Sequence, residues 1–289
     1  MRSLSRLTLL VGGLVVAAAA HAEQIYGVTF DNQLITFDSA TPGTINEGVF
    51  LDGLVGGEAI AGIDFRPATG ELYVLGTSSR LYTADLSTGT LTQVGPRLSP
   101  TLNGATFGFA FNPTVDRIRI TSDTERNYRV NPDTGAVIVD GLLTVTDSPN
   151  NPEINGVAYL NDFAGATTTA LYGLNSENDT LVVSTNANAG TFVTVGSLGM
   201  NVSGTNGFDI SGTSGIAYLA AQMTGSTPST LLTVNLATGA TTAIGGIGSN
   251  GSITAIRALA IAPAPVPEPA TLAALGVGIA AMLRRRKRA

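Results

Sequence analysis

The sequence predicts an all-β protein, a β-propeller of five four-stranded blades. Short alternating apolar runs rich in Val, Ile, Thr, Tyr and Phe recur between clusters of Gly, Asn, Asp and Pro, which is typical of many short strands. No long segment with the 3.6-residue period of a helix lies between the termini. A unit of four such runs also repeats along the chain with the length of a propeller blade. A six-bladed or irregular ring remains the alternative.

The repeat is clearest at the start of each unit. GIDF, GFAF, GVAY and GFDI begin at Gly62, Gly108, Gly156 and Gly207, so the units start 46, 48 and 51 residues apart. A fifth first strand, ALAI at Ala258–Ile261, ends the domain. IYGVTF, QLITFD and TINEGVF at the N-terminus are a second, third and fourth strand without a first. We therefore expect the C-terminal strand to pair with the N-terminal strands and close the ring.

One turn sequence returns five times. It reads ADLSTG, VNPDTG and VNLATG, which end at Gly89, Gly135 and Gly239, and more loosely FDSATPG and STNANAG, which end at Gly43 and Gly190. Asp or Asn begins the turn because its side chain accepts a hydrogen bond from a following backbone N–H. Gly ends it because a type I turn with a G1 bulge needs a positive φ there. The motif is therefore predicted to be the hairpin between the third and fourth strands of each blade, an architectural feature rather than a site.

The two ends of the chain carry export signals. Residues 1–22 combine a basic start, an apolar run and an Ala-His-Ala cleavage sequence, which predicts a helical signal peptide that signal peptidase removes between Ala22 and Glu23. Residues 264–289 combine a Pro-rich spacer, the apolar run Ala270–Leu283 and the basic block Arg284–Arg288. This pattern predicts a short transmembrane helix with its basic end in the cytoplasm. The propeller is therefore expected to span residues 23–263.

The C-terminal segment resembles the PEP-CTERM sorting signal. The resemblance rests on Pro267, Glu268 and Pro269, on the small-residue apolar run and on the terminal arginine cluster. It implies a Gram-negative bacterium, export across the inner membrane, and recognition by an exosortase that cleaves near Pro267–Pro269. The protein is then expected to be anchored at first and later extracellular or at the cell surface, in association with exopolysaccharide and biofilm production.

The composition excludes several chemistries in the body of the protein. Residues 23–263 contain eight arginines, twenty carboxylates and no lysine, which gives a charge of −12 and argues against nucleic acid as a partner. The chain has no cysteine, and its single histidine, His21, leaves with the signal peptide. A Ser-His-Asp triad, a thiol nucleophile and imidazole ligands for zinc are thus excluded. Acid–base chemistry is left to Asp, Glu and Tyr, and metal binding to oxygen ligands, which favours Ca²⁺ if any cofactor is bound.

Two carboxylates are predicted to lie near the propeller axis. Large residues flank a small or acidic middle residue in each first strand. Because alternate strand residues point to opposite faces, only Ala or Asp is expected to fit where the blades converge. Asp64 and Asp209 hold this position in the first and fourth units. They are candidates for a metal-binding or acid–base pair; alternatively each pairs with an arginine of a neighbouring blade, since buried charges need partners.

Four of the eight arginines cluster in DRIRITSDTERNYRVN, residues 116–131. Arg117 and Arg119 share one strand face, whereas Arg126 and Arg129 do not. The cluster is a candidate binding patch for an acidic polysaccharide or a carboxylate. The alternative is that these arginines form ion pairs that lock blades together. The acidic partners considered for such pairs are Asp64, Asp116, Asp123 and Glu125.

Two further stretches have some features of a binding site. Asn175, Glu177 and Asp179 have the 1, 3, 5 spacing of a calcium loop, but positions 6 and 12 lack the Gly and Glu of an EF-hand, so a surface turn is expected. The Asn/Asp/Pro-rich stretch Asp147–Asp162, around the start of the third unit, is a candidate ligand-binding loop; the alternative is a solvated connector.

The body also resembles a family of bacterial proteins with the DUF4394 domain. The resemblance rests on GIDFRPATGELYVLG, FNPTVDRIRITSDTERNYRVNPDTGAV and TALYGLNSENDTLV and covers nearly all of residues 23–263. It implies a secreted propeller and no particular activity. The sorting tail and the missing catalytic side chains favour a non-enzymatic propeller that binds or organises exopolysaccharide or another matrix component. The alternatives are a carboxylate-only enzyme, such as a glycoside hydrolase using Asp64 and Asp209, and a purely structural coat protein.

Overall fold

The computed structural model describes residues 22–148, 151–223, 229–249 and 251–263. These ranges contain short strands rich in β-branched and aromatic residues, and they contain no helix that could cross a membrane. The strands are β1 (Gln24–Thr29), β2 (Gln33–Asp38), β3 (Ile45–Phe50), β4 (Ile60–Phe65), β5 (Leu72–Gly76), β6 (Arg80–Ala84), β7 (Leu91–Val94), β8 (Phe107–Asn112), β9 (Arg117–Ser122), β10 (Asn127–Val130), β11 (Val137–Val139), β12 (Thr144–Val145), β13 (Ile154–Tyr159), β14 (Leu171–Asn175), β15 (Thr180–Asn186), β16 (Thr191–Ser197), β17 (Val202–Ile210), β18 (Ala217–Met223), β19 (Ser229–Val234), β20 (Thr241–Gly246), β21 (Gly248–Ser249), β22 (Ser252–Ile253) and β23 (Ile256–Ile261).

Five antiparallel sheets form a closed five-bladed propeller, as predicted. Blade 1 is β4–β7, blade 2 is β8–β11, blade 3 is β13–β16 and blade 4 is β17–β20. The closing blade orders its strands β23-β1-β2-β3, so the C-terminal strand is its first strand. Ile25 pairs with Ile261 and Gly27 with Leu259 across this joint. Both ends of the body are thus held in one sheet, and the ring has no free edge at which it would open.

Two additions depart from the four-strand unit. β12 pairs in parallel with β16 at the outer edge of blade 3. β21 and β22 form a separate hairpin between blade 4 and the closing strand. Both additions use chain that runs from the outer strand of one blade to the first strand of the next.

The first strands β4, β8, β13, β17 and β23 line the axis, and each contacts its two neighbours around the ring. A glycine in each of the four complete units makes room for the next blade. A Cβ on Gly62 would lie 2.6 Å from the Cβ of Phe109, and one on Gly207 would lie 2.5 Å from the backbone N of Leu259. The large residues that follow each glycine fill the space between blades, where the apolar clusters of the core lie.

The repeated turn lies between the third and fourth strands of every blade, as predicted, but its hydrogen bonding differs. The N–H of Gly89 donates to the carbonyl of Asp85, four residues earlier, and the equivalent glycines of blades 2 and 4 do the same. This is an α-turn closed by a left-handed glycine rather than a type I turn with a G1 bulge. The Asp85 carboxylate accepts the N–H of Ser87, as expected of a capping side chain. Gly43 of the closing blade lacks the positive φ of the other four glycines.

Candidate functional site

Three buried carboxylates meet where the first strands end. Asp64 and Asp209 are the second-last residues of β4 and β17, and Asp162 lies in the connection that follows β13. Each contributes one oxygen to a group whose members all lie within 4.8 Å of one another. Asp64, Asp162 and Asp209 are only 4%, 7% and 5% exposed. We call these three residues the axial carboxylates.

Asp64 and Asp209 bond to the backbone of the next blade rather than to arginine. Asp64 Oδ2 accepts the N–H of Phe111 in blade 2 at 2.6 Å, and Asp209 Oδ2 accepts the N–H of Ile261 in the closing blade at 2.8 Å. The expectation of an arginine partner is wrong, since no ion pair among the described residues involves either carboxylate. The neighbouring first strand itself presents an N–H within reach of a side chain on the axis.

Two oxygens of this cluster have no hydrogen-bond donor. Oδ1 of Asp64 and Oδ1 of Asp162 are buried and have no donor among the described residues, and a buried carboxylate oxygen without a donor costs free energy. Burial, followed by the charges of Asp209 and Asp162, raises the pKa of Asp64 well above its ordinary value. Burial and the charge of Asp209 raise the pKa of Asp162, and burial raises the pKa of Asp209 to about 7. The arrangement therefore favours a bound positive charge, either a proton or a cation.

The sequence indicated Asp64 and Asp209 but not Asp162, the last residue of the stretch Asp147–Asp162. The expectation of a solvated connector is wrong for the second half of that stretch, because Ile154–Tyr159 form the buried strand β13 and Asp162 is itself buried. The connector turns inward at Asn161, whose φ is 60°. Gly212 of blade 4 makes room for it, because a Cβ there would lie 1.9 Å from the carbonyl oxygen of Asp162. The one sequence feature that points to Asp162 is the Asn-Asp pair that it forms with Asn161 shortly after a first strand. This pair can be placed near the axis only once the ring is known.

The four candidate arginines fall into two groups. Arg117 and Arg119 lie on β9, Arg129 on β10 pairs directly with Arg119, and Arg126 precedes β10. Arg117, Arg119 and Arg129 line a pocket of about 410 Å³ between blades 2 and 3, and Arg126 does not. We call this the arginine pocket. Its polar wall is completed by Asn112, Tyr159, Asn186 and Asn188.

Arg119 joins the two blades that form the arginine pocket. It is 2% exposed, and its guanidinium donates to Asp140 Oδ2 at 2.6 Å, to Asn127 Oδ1 at 2.8 Å and to Asn188 Oδ1 of blade 3 at 2.8 Å. Asp140 also accepts two bonds from Arg129, which raise the pKa of Arg129. Ion pairs thus form, but with Asp140 rather than with the four acids considered, and within blade 2 rather than between blades. The backbone pairing of Asp140 with Asn127 places its carboxylate beside both arginines.

Arg117, unlike Arg119 and Arg129, is not held by a carboxylate among the described residues. It is partly exposed, and its guanidinium donates to the backbone carbonyl of Asp116 at 2.7 Å. Within the described ranges neither Arg117 nor Arg126 makes an ion pair. On β9, Arg117 lies two residues from Arg119. Arg119 pairs with Ala110 of β8, which is the residue of blade 2 that corresponds to Asp64 in blade 1. The arginine pocket and the axial carboxylates therefore lie at the same end of the propeller.

The calcium-like spacing at residues 175–179 does not form a site. Asn175 is buried and accepts the N–H of Glu153, and Asp179 accepts the N–H of Val202. Glu177 is exposed. In the part of the chain that the structure describes, the axial carboxylates are the one group of three metal-ligating side chains.

The predicted mature N-terminus is tied into the ring. The Glu23 carboxylate accepts hydrogen bonds from the hydroxyls of Ser211 and Ser214 in blade 4. Cleavage between Ala22 and Glu23 stays a prediction. The Pro-Glu-Pro motif at 267–269 and the apolar run that follows lie outside the described residues.

Sequence comparison accounts for most of the chain. The domain of unknown function DUF4394 matches residues 33–260, and the PEP-CTERM protein-sorting motif matches residues 265–288. The sorting motif indicates export, processing at the membrane and recognition by exosortase-type sorting machinery. No curated protein sequence matches the chain.

Solved structures share the fold at low sequence identity. A chain of the nidogen/laminin complex matches with a TM-score of 0.51 and 15% identity, covering 83% of this chain and 98% of its own. A Bacteroides thetaiotaomicron protein of unknown function matches with a TM-score of 0.51 and 14% identity, covering 85% of this chain and 68% of its own. At these identities the likeness shows the fold alone.

Proposed function

The chain belongs to the DUF4394 family, and we propose that its exported propeller is a non-enzymatic binding module whose arginine pocket takes an acidic extracellular polysaccharide. The sorting motif supports the location, since it belongs to exported proteins that are processed at the membrane. The arginines that line the pocket support an acidic ligand. Signal peptidase, the exosortase-type enzyme and this polysaccharide would be the partners of the protein during its life.

The proposal rests on Arg117, which forms no ion pair among the described residues and lines a pocket of suitable size. A volume of about 410 Å³ lies within the range of about 300–1,000 Å³ for small-molecule sites. Arg117 makes no ion pair among the described residues and is partly exposed, so it is available to the carboxylate of a uronic acid. The amides of Asn112, Asn186 and Asn188 offer donors and acceptors for sugar hydroxyls.

The negative charge of the body limits the binding of an acidic polysaccharide to short-range contacts. Residues 23–263 carry −12, so a polyanion is repelled at long range, and general electrostatic attraction does not bring it to the surface. An acidic polymer that binds must therefore do so through short-range contacts in the pocket. Added salt is expected to strengthen binding at first, because it screens the repulsion between the two like-charged partners.

Glycoside hydrolysis by Asp64 and Asp209 is the alternative function. Such enzymes need two carboxylates that reach the glycosidic bond and the sugar ring. Both residues here are about 95% buried by the exposures given above, and both oxygens of Asp209 accept backbone N–H groups, from Ile210 and Ile261. This arrangement supports a role in holding the ring more than a role in catalysis.

The first experiment mixes the body, residues 23–263, with the exopolysaccharide of the producing organism and follows both by size-exclusion chromatography with light scattering. The body is a suitable fragment because its ring closes within residues 24–261. We expect co-elution with an unchanged polymer mass. A falling polymer mass would identify an enzyme instead, and independent elution would reject the polysaccharide as the ligand.

Two substitutions locate the binding site. Arg117→Gln is expected to weaken binding about tenfold or more, since a hydrogen bond between charged groups is worth about 1.5–3 kcal/mol. Arg126→Gln is the matched control, because it removes the same charge from the same blade outside the pocket. Equal losses in the two variants would mean that net charge, and not the arginine pocket, governs the interaction.

A further inference from the structure

The axial carboxylates form a ligand set made of oxygen alone. They come from blade 1, the connector after blade 3's first strand, and blade 4, and their ligand oxygens lie within 4.8 Å of one another. Calcium–oxygen distances are about 2.3–2.6 Å, so two ligands on opposite sides of a Ca²⁺ ion lie about 4.6–5.2 Å apart. Three oxygens that all lie within 4.8 Å of one another are therefore close enough to share one such ion.

The hydrogen bonds of the cluster leave unused acceptors. Oδ1 of Asp64 and Oδ1 of Asp162 are buried without a donor, in side chains more than nine-tenths buried. Buried polar groups are normally paired, and the unpaired ones mark a missing partner. The Asp162 side chain makes no hydrogen bond among the described residues, so hydrogen bonding within that part of the chain does not explain why this acid is brought to the axis.

Among the described residues, no positive side chain forms an ion pair with the cluster. Glu23 acts on Asp209 with the same sign of charge. Arg66, two residues after Asp64, turns to Asp116 and Asp133, which accept its guanidinium bonds at 2.5–2.9 Å. A buried group of three acids without a cation is expensive, and proteins resolve this with protons or with a metal ion.

We propose that Asp64, Asp162 and Asp209 bind one divalent cation with the preferences of Ca²⁺. Carboxylate ligands and the absence of His and Cys in the body suit a hard cation. Water completes the coordination, since one oxygen from each of the three carboxylates supplies fewer than the 6–8 oxygens that Ca²⁺ takes. The ion links the first strand of blade 1 to that of blade 4 and to the connector of blade 3, across the axis of the ring. The proposal is independent of the arginine pocket.

The test uses the body, residues 23–263, freed of metal with a chelator and then desalted. Isothermal titration with CaCl₂ and with MgCl₂ measures binding, and thermal melts measure stability with and without each ion. We expect one Ca²⁺ per chain, weaker binding of Mg²⁺, and a melting temperature that rises with Ca²⁺ because the ion binds the folded state alone. If neither a heat of binding nor a change in melting temperature is observed, the proposal is overturned. Protons would then neutralise the axial carboxylates instead of a metal ion.

Asp162→Asn is the decisive variant, because no described hydrogen bond holds the Asp162 side chain. It is expected to weaken Ca²⁺ binding at least tenfold. It should also melt no lower than the wild type when both are metal-free, since it removes a buried acid that lacks a partner. Glu177→Gln is the control: it neutralises an exposed acid in the calcium-like sequence at 175–179 and should keep the wild-type affinity. Wild-type affinity in Asp162→Asn, or a loss confined to Glu177→Gln, would refute the assignment.

Discussion

Replacing Arg119 with methionine is expected to lower the free energy of unfolding by about 3 kcal/mol. Methionine keeps an apolar stem between blades 2 and 3 and removes the guanidinium. The lost contacts are the bonds to Asp140, Asn127 and Asn188 at 2.6–2.8 Å. Arg119 is 2% exposed and Asp140 5% exposed in their side chains, so water does not weaken this ion pair.

The magnitude follows from the groups that the substitution leaves behind. Loss of the charged bond to Asp140 costs about 1.5–3 kcal/mol, and Asn127 Oδ1 loses its donor inside the protein at about 1–3 kcal/mol. Asp140 keeps both bonds from Arg129, and Asn188 is exposed and can turn to water, so neither adds a full penalty. About 3 kcal/mol is therefore the expected loss, at the lower end of the 3–5 kcal/mol for a broken buried pair. For a domain of this size, that loss lowers the melting temperature by about 6–12 °C.

Urea denaturation of residues 23–263, followed by far-UV circular dichroism, measures this loss. Arg117→Met is the matched control, since Arg117 lies two residues away in β9 and is partly exposed without an ion pair among the described residues. It should stay within about 0.5 kcal/mol of the wild type. If both variants lose the same stability, the buried network of Arg119 is not what joins blades 2 and 3, and the reasoning above fails.

Two further predictions test the ring and its buried tyrosines. Gly207→Ala places a methyl group 2.5 Å from the backbone N of Leu259 and should lower the free energy of unfolding, measured by urea denaturation, by about 1–3 kcal/mol. Gly56→Ala is the control and should be nearly neutral, because nothing lies within 4 Å of the added methyl group. Equal losses of stability in the two variants would contradict the role of Gly207 in blade packing. Burial, and then the bond to Glu58, raises the pKa of Tyr82 to about 12. Because this folded-state pKa exceeds the unfolded value of about 10, the associated stability is present below pH 10 and lost as the pH rises from about 10 to 12. Tyrosinate absorbance, which the lack of Trp leaves free of interference, should lose its last phase in Tyr82→Phe; a complete titration near pH 10 in the wild type would refute the prediction.

The fold was predictable because the space at the axis dictates residue type. The first residue of each complete unit must be glycine, as Gly62 and Gly207 show, since the next blade approaches within 2.6 Å of where a Cβ would lie. This requirement places the same short pattern in the first strand of each complete unit, and the recurrence of the pattern marks those four blades. Ring closure followed from counting strands, because the N-terminal blade lacked a first strand and the C-terminus had one to spare.

The site was predictable only where it lies on the repeated pattern. Asp64 and Asp209 interrupt the alternation of large and small residues in a first strand, so the sequence indicates their position. Asp162 lies in the connection between β13 and β14, which is longer than the corresponding connections of blades 1, 2 and 4, and its place depends on the fold of blade 4 around Gly212. The partner of Arg119 was missed for the same reason: Asp140 reaches it through the end of β11, where the sequence repeat no longer constrains the chain.

The distribution of acids on the first strands indicates that the axial carboxylates do more than join blades. Alanine holds the equivalent position in three of the five blades, at Ala110, Ala158 and Ala260, and these blades contact their neighbours without any side-chain bond from that position. The bonds from Asp64 and Asp209 to the next blade are therefore not required by the architecture, while burying an acid costs free energy unless its charge is matched. Packing alone would be satisfied by alanine at both places, and it gives no reason for Asp162 to be carried to the same point. A cation shared by the three explains all of these features together, because it uses the unpaired oxygens, offsets two of the three negative charges and takes its ligands from blade 1, from blade 4 and from the connection after β13.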